Sequence, residues 1–356
     1  MKIKDCSEGK APTRPTYDCQ TWPARRCFAV HTPAPASNAS TSALPELPRA
    51  CLPFGPLRTL PQSRNSFHRF SRTPALQSRM PYPLVPDLVR YAGEPVAIVA
   101  AENAYQAEDA LDLIDIEYEP LPAAVDTEAS LHDTAPRVHD DLPNNFAGRF
   151  GQEVGDVDRA LAEAFVVINE RFTIGRVSAQ PMETRAITAS YESGKLTVWM
   201  TTQSPHMSRR VIAQQLDMPL ENVHVIAPDI GGGFGPKNRH YPEYTLVPML
   251  AVQLGRPVAW VEDRRESFTA TYQAREQVHD VTLALAEDGK VLALWDRYIY
   301  DQGAYTPIGI VVPFVTSVSI PGPYRIPNYR VECSMAFTNK TPTAPYRGAE
   351  NRRRRS

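Results

Sequence analysis

Residues 223–237 read VHVIAPDIGGGFGPK. The pattern predicts a strand over 223–226 that runs into a glycine loop at 231–235, and a helical pattern follows over 242–254. Glycine permits positive φ angles and lets a ligand lie against the main chain, so backbone N–H groups can converge on an anion there. The loop is neither a P-loop, which ends in Gly-Lys-Ser/Thr, nor the dinucleotide motif GxGxxG. A purely structural glycine turn is the alternative.

Strand and helix patterns alternate on both sides of this loop. Helix starts are predicted at Asn103, Asp156 and Ser204, because each side chain can cap the first turn. Apolar residues alternate on both sides of Asp288-Gly289, which is the strongest hairpin signal in the chain. Further strands are predicted over 95–100, 116–119, 166–172, 186–191, 195–201 and 258–261. This mixture predicts an α+β fold.

Composition divides the chain into unlike segments. The 356 residues include 38 Lys or Arg and 40 Asp or Glu, but residues 1–80 hold 12 basic and only 4 acidic residues, with 11 of the 34 prolines. Such a segment buries too little apolar surface to offset chain entropy, so we predict a disordered, basic Pro/Ser-rich head over 1–80. Residues 127–152 are predicted to be a linker, and residues 303–327 are also punctuated by glycine and proline. Residues 351–356 form a basic tail.

Cysteine usage and hydropathy exclude several classes of protein. Four of the five cysteines lie in the head, and no CxxC or Cys/His cluster indicates a zinc or iron–sulfur site. No apolar run approaches the roughly 18 residues that span a bilayer. We therefore expect no metal ligands from side chains and no membrane span, and we expect a cytoplasmic location.

Several segments, in one order along the chain, resemble the xanthine dehydrogenase and aldehyde oxidase family. Residues 90–126 resemble the end of its small a/b hammerhead domain. Five further segments resemble its molybdenum-cofactor-binding domain, namely residues 156–158, 180–183, 202–206, 231–235 and 345–348. The likeness is greatest to large subunits of the carbon monoxide dehydrogenase type. It predicts a partial hammerhead domain over 88–126 and the first part of a molybdopterin-binding domain over 153–350.

The resemblance implies a molybdenum hydroxylase. Such enzymes hydroxylate a C–H bond of an aldehyde or an N-heterocycle with oxygen from water, at molybdenum held by a pyranopterin, either molybdopterin or its cytosine dinucleotide form. Electrons leave through iron–sulfur clusters and FAD, which are expected here on partner chains. The metal is bound by the pterin and by inorganic ligands, so the protein contributes positioning and electrostatics.

Motif positions assign the cofactor-binding residues. The resemblance implies that Gln203 hydrogen-bonds a molybdenum ligand and that Arg347 lies near the metal. The loop against the metal and pterin would comprise Gly232, Gly233, Phe234 and Gly235. The alternative for Gln203 is a simple strand-to-helix turn, and for Arg347 a surface salt bridge.

Other polar residues near these motifs are expected to be structural. This applies to Glu183 and Glu243, and to the lone histidines His206 and His240.

Two departures from the family pattern narrow the range of possible substrates. Purine-oxidising members carry a substrate-binding glutamate four positions after the loop phenylalanine, where this chain has Asn238 in the predicted substrate pocket. Carbon monoxide dehydrogenases have a cysteine after the arginine, where this chain has Gly348. The sequence therefore disfavours purines and carbon monoxide.

The family's large subunit is much longer, and its second half supplies a general-base glutamate that no residue here matches. We therefore expect a truncated large subunit. The alternatives are a split or non-catalytic subunit that binds only the cofactor or partner chains, and a nucleic-acid-binding protein with basic ends. The last is disfavoured because no aromatic residues interleave with the basic runs.

Overall fold

The structure, a computed structural model, describes residues 76–348 and the backbone of two short strands, β1 (Lys2–Ile3) and β2 (Cys27–His31). The predicted disordered head is wrong for β1 and β2, which pair in sheets, and for residues 76–80, where the N–H of Gln77 donates to the carbonyl of Ala147 at 2.8 Å. The rest of the predicted head and the predicted basic tail lie outside the described residues. Helices make up 23% and strands 32% of the residues that the structure describes, which confirms the α+β class.

A six-stranded sheet supports the glycine loop. Its strand order is β3-β2-β10-β7-β8-β9. Besides β2 it comprises β3 (Ala97–Ala101), β7 (Ala186–Glu192), β8 (Lys195–Met200), β9 (Val223–Ile226) and β10 (Val258–Val261). Three helices pack on its strands, namely α1 (Ala104–Leu111), α3 (Pro205–Gln215) and α4 (Glu243–Leu254). The parallel neighbours β8 and β9 end on the same side, where Gln203 and the glycine loop follow them.

A five-stranded sheet forms the second layer, in the order β5-β13-β12-β11-β6. Its strands are β5 (Phe146–Val154), β6 (Val166–Val177), β11 (Ala274–Leu285), β12 (Val291–Gly303) and β13 (Asn328–Phe337). The parallel pair β12–β13 is connected through helix α6 (Val311–Ser319), and all other pairs are antiparallel. The remaining elements are α2 (Val157–Ala162), α5 (Arg264–Ala270) and β4 (Tyr118–Glu119), which pairs with β1.

Local sequence signals explain how several elements begin. The side chain of Asn103 accepts a hydrogen bond from the backbone N–H of Gln106 at 3.0 Å, and Asp156 does the same for Arg159 at 3.0 Å. Both predicted caps are therefore confirmed. The hairpin predicted at Asp288-Gly289 joins β11 and β12. Ser204 precedes α3 as predicted, but its hydroxyl makes no capping bond and contacts a side chain in the candidate site.

Two segments that looked like loops contain regular structure. The predicted linker 127–152 is wrong for residues 146–152, which belong to β5 and pair with β13. Residues 303–327 include α6, whose β-branched residues favour strands in isolation. In both segments tertiary contacts determine the secondary structure. Gln277 on β11 and Tyr298 and Tyr329 on the sheet hydrogen-bond to α6, which stabilises the helix against its weak intrinsic propensity.

In the described part of the chain, 76–348, none of the helices has both the length and the apolar character needed to cross a bilayer.

Candidate functional site

The glycine loop 231–235 lies between β9 and a short 3-10 turn, Pro236–Asn238. Gly232 and Gly235 have φ angles of +97° and +113°, which favour glycine. Phe234 also has a positive φ, +51°, although it is not glycine. Such a conformation is sparsely populated for a bulky residue, so the surrounding contacts must hold it in place.

Two glycines allow distant segments to approach the loop. A Cβ atom on Gly233 would lie 2.5 Å from Cδ of Gln203, and one on Gly235 would lie 2.2 Å from the carbonyl oxygen of Pro345. Both distances are well below van der Waals contact, so a larger residue at either position would push these segments away. The glycines therefore serve close packing of the loop against the protein itself.

Three sequence-distant residues of the predicted site meet at the loop. The side-chain oxygen of Gln203 accepts a hydrogen bond from the N–H of Gly235 at 2.9 Å, and the N–H of Arg347 donates to the carbonyl of Phe234 at 2.9 Å. The N–H of Gln203 donates to the carbonyl of Lys237 at 2.9 Å. The structure thus brings Gln203, the loop and Arg347 together, as the motif order predicts.

The loop and its neighbours present unused donors. Within residues 76–348 the N–H groups of Gly233 and Phe234, the side-chain NH2 of Gln203 and the guanidinium of Arg347 have no hydrogen-bond acceptor. Phe234, Gln203 and Arg347 are exposed and Gly233 is half-buried. Adjacent N–H groups in a loop with left-handed residues form a concavity that binds anions. This set of donors fits the oxygen-rich acceptor groups of a molybdenum–pterin cofactor.

Asn238, the predicted substrate-pocket residue, lies on the 3-10 turn after the loop. Its N–H donates to the carbonyl of Gly235 at 2.9 Å, and its side-chain oxygen contacts the hydroxyl of Ser204. A pocket of about 350 Å³ opens nearby, between β11, α6 and residues 344–348. Arg347 lines this pocket and Asn238 does not.

A buried ionic cluster lies beneath the loop. Arg185 forms a two-pronged pair with Glu243, at 3.0 and 3.1 Å, and a 2.6 Å contact with Glu262. Its guanidinium lies 3.9 Å from the ring centre of Tyr241, whose hydroxyl donates to the carbonyl of Pro236 at 3.1 Å. Burial acts to lower the pKa of Arg185, but the two glutamates outweigh it and the pKa is raised well above its ordinary value. Through Tyr241, the turn that follows the loop thus rests on a buried guanidinium that stays charged.

Sequence reasoning missed Arg185, Glu262 and Lys237. Lys237 is only 1% exposed, and its ammonium donates to Glu183 at 2.9 Å. Burial lowers the pKa of Lys237, and the bond to Glu183 partly offsets this. A lysine next to a glycine loop was a usable signal, but its glutamate partner is 54 positions away in the chain.

Neither lone histidine is part of a cluster. His206 is exposed on α3. His240 is half-buried against Thr245, with 2.8 Å between Nε2 and the hydroxyl oxygen, and desolvation of its ring lowers its pKa to about 4. Among the described residues no three His, Cys, Asp or Glu side chains are grouped as metal ligands.

Comparison with known families identifies the two parts of the chain. Residues 138–353 match the molybdopterin cofactor-binding domain. Residues 60–122 match the a/b hammerhead domain of aldehyde oxidase and xanthine dehydrogenase. That match begins before residue 88, where the resemblance placed the start of this part.

Individual relatives agree with this assignment. The gamma subunit of the 6-hydroxypseudooxynicotine dehydrogenase complex of Paenarthrobacter nicotinovorans is 39% identical over 267 residues, covering 74% of this chain and 33% of that protein. The carbon monoxide dehydrogenase large chain of Afipia carboxidovorans is 37% identical over 247 residues, covering 65% and 30%. The crystal structure of quinoline 2-oxidoreductase from Pseudomonas putida 86 superposes with a TM-score of 0.72 at 38% identity, covering 77% of this chain and 36% of that chain.

The chain therefore belongs to the molybdopterin-binding large subunits of the aldehyde oxidase and xanthine dehydrogenase family, which confirms the resemblance. It spans about a third of the length of the two curated relatives named above.

Proposed function

We propose that this chain forms one wall of the cofactor site of a molybdenum hydroxylase. The observation that supports this proposal most directly is the group of unused donors at the loop, namely the N–H groups of Gly233 and Phe234 and the side-chain amide of Gln203. They are neutral, they are accessible, and a concavity of N–H groups suits oxygen acceptors that carry negative charge.

Each residue type suits a separate task at such a site. Gln203 would donate to an oxygen next to the metal without adding charge, because its own oxygen is already held by Gly235. The N–H groups of Gly233 and Phe234 would bind and orient acceptor atoms of the cofactor. Arg347 would add positive charge beside them, since no carboxylate in the described part of the chain neutralises it. When bound, the molybdenum–pterin group supplies two-electron oxidation of a substrate C–H bond with oxygen from water.

We propose an aldehyde or an N-heterocycle as the substrate. The name of the quinoline 2-oxidoreductase, whose structure superposes on this chain, supports the heterocycle. Asn238 is uncharged where a purine anchor would carry a glutamate, which supports a substrate other than a purine.

We further propose that iron–sulfur and FAD chains accept the electrons. Cys333, the one cysteine within 76–348, is buried and has no second thiolate beside it with which to hold a cluster. Because the chain spans only a third of its relatives, turnover is proposed for the large subunit as a whole.

The test is to express the chain in a host that synthesises molybdopterin and to measure pterin and molybdenum in the purified protein. We expect pterin to co-purify with the wild-type chain and molybdenum to be below one per chain, because the chain would form only one wall of the proposed site. The control is Gly235→Ala, in which the added Cβ clashes with Pro345 and opens the loop.

Pterin at the same background level in both proteins would contradict cofactor binding. One tightly held molybdenum per chain, together with aldehyde-dependent dye reduction, would contradict the proposal that this chain forms only part of the site.

A further inference from the structure

One carboxylate oxygen holds both the first residue of the glycine loop and the 3-10 turn that follows the loop. Oε2 of Glu183 accepts a hydrogen bond from the N–H of Gly231 at 2.8 Å and another from the ammonium of Lys237 at 2.9 Å. The N–H of Glu183 also donates to the carbonyl of Gly231 at 3.3 Å. Phe234 and Gly235 lie between residues 231 and 237. Glu183 therefore fixes the segment whose conformation determines where the unused N–H groups of the loop lie.

Close packing makes this contact specific. A Cβ on Gly231 would lie 2.6 Å from Cβ of Glu183, so only glycine allows the glutamate to approach the loop. The glutamate side chain is 38% exposed, whereas that of Lys237 is 1% exposed. Removal of Glu183 would therefore leave a buried ammonium without its partner, whereas removal of Lys237 would leave a carboxylate that water can still reach.

Lys237 also connects the loop to Gln203. Its carbonyl accepts the N–H of Gln203 at 2.9 Å and the hydroxyl of Thr202 at 3.3 Å. Any displacement of Lys237 would move the backbone that sets the position of the Gln203 side chain. A buried ammonium needs a hydrogen-bonded partner of opposite charge, and Glu183 is the carboxylate in contact with it.

We propose that Glu183 and Lys237 are a positioning pair that holds the glycine loop and Gln203 in the geometry that receives the cofactor. Neither residue needs to touch the cofactor. The role at the cofactor rests on the proposed function, but the effect on the loop can be measured without any ligand.

The experiment compares Glu183→Gln, Lys237→Met and the double variant by residue-resolved amide exchange of the full chain. The reporters are the N–H groups of Gly231, Gln203 and Gly235, each bonded within this network. Strand amides of β8 serve as the reference for global opening, and Lys290→Met, which breaks the exposed pair with Asp288, is the control.

Glu183→Gln keeps the shape of the side chain but leaves the buried ammonium without a counter-ion. We expect exchange at the three reporters to rise by about tenfold or more, with β8 unchanged. Lys237→Met leaves a carboxylate that is partly hydrated, so its effect should be smaller. The double variant should be closer to wild type than Glu183→Gln, because no unpaired buried charge remains.

Wild-type exchange at the reporters in Glu183→Gln would overturn the proposal. So would an equal rise in β8, because that would show general destabilisation. Pterin content separates the two proposals. If wild type binds pterin and Glu183→Gln binds it equally well despite a loosened loop, the pair has no role at the cofactor. If wild type binds none, the proposed function fails while the exchange data still decide whether the pair holds the loop.

Discussion

Two buried clusters in this protein hold carboxylates in different ways. Under the glycine loop, Glu243 and Glu262 both contact the guanidinium of Arg185. At the junction of the hammerhead part with the larger domain, Glu94 is fully buried but is bound by the hydroxyl of Tyr305 and, at 2.6 Å, by the backbone N–H of Arg90.

The charged partner makes the difference between them. The guanidinium of Arg90 donates to the carbonyls of Leu88 and Val138, at 3.2 and 3.1 Å, and to the hydroxyl of Tyr305 at 3.4 Å, so it acts on Glu94 through its charge and not through a direct hydrogen bond. Burial therefore outweighs the hydrogen bonds and raises the pKa of Glu94 to about 7. Glu94 therefore titrates nearer neutral pH than an ordinary carboxyl group, whereas at the other cluster the pKa that is raised is that of Arg185.

The largest effect is expected at the charged cluster. Arg185→Met leaves Glu243 and Glu262 buried without their counter-ion, so the free energy of unfolding should fall by about 3–5 kcal/mol. Denaturant unfolding measures this loss. The control Arg159→Met, which breaks an exposed pair with Glu163, should leave stability unchanged. Equal losses in the two variants would show that burial of the Arg185 pairs adds nothing to their contribution to stability.

At the junction the expected effect depends on pH. Because the folded-state pKa of Glu94 lies above its ordinary 4.5, the folded chain binds this proton more tightly than the unfolded chain. The resulting stabilisation is complete below pH 4.5 and is lost as pH rises through about 7, and it amounts to up to about 3 kcal/mol. Denaturant unfolding of wild type and Glu94→Gln at pH 5 and pH 8 measures it.

The difference between the two proteins isolates Glu94. His139 and His240, whose pKa values burial lowers to about 4, change stability in the opposite direction as pH falls below their ordinary 6.5. We expect wild type to lose more stability than Glu94→Gln between pH 5 and pH 8. Equal losses would show that Glu94 is ionised throughout.

A smaller effect on stability, caused by steric overlap, is expected to differ between the glycine loop and the junction. Gly235 at the loop, Gly93 at the junction and Gly194 in the β7–β8 hairpin all have positive φ angles. An alanine Cβ would lie 2.2 Å from Pro345 at position 235, 2.7 Å from Thr269 at position 93, and in open space at position 194.

Gly194→Ala should therefore cost about 1–2 kcal/mol of backbone strain. Gly93→Ala and Gly235→Ala should cost about 1–3 kcal/mol more through steric overlap, with Gly235→Ala the most damaging. Thermal unfolding of the three variants gives the order. The same loss in all three would mean that the φ angle alone determines the cost.

Sequence reasoning succeeded where the signal was local. The caps at Asn103 and Asp156, the hairpin at Asp288-Gly289 and the glycine loop each depend on residues a few positions apart. Family motifs extended this to distant segments, so Gln203, Phe234 and Arg347 could be grouped before any coordinates were known.

Sequence reasoning failed where partners are far apart in the chain. Glu183 looked like a packing residue because its contacts, Gly231 and Lys237, lie 48 and 54 positions away. The Arg185 cluster has no local pattern either, since Glu262 lies 77 positions from its arginine. Strand β5 contains glycines that favour turns, and its pairing with β13 and the burial of Ala147 and Phe150 stabilise it as a strand.

The placement of β5 at the edge of its sheet has a consequence for synthesis on the ribosome. β5 is bonded in that sheet to β13 alone, and about 170 residues separate the end of one strand from the start of the other. At about 5–20 residues per second, roughly 10–35 s pass after β5 is made before its partner is translated. The five-stranded layer is therefore completed only after β13 has been translated, and β5 waits unpaired in that sheet until then.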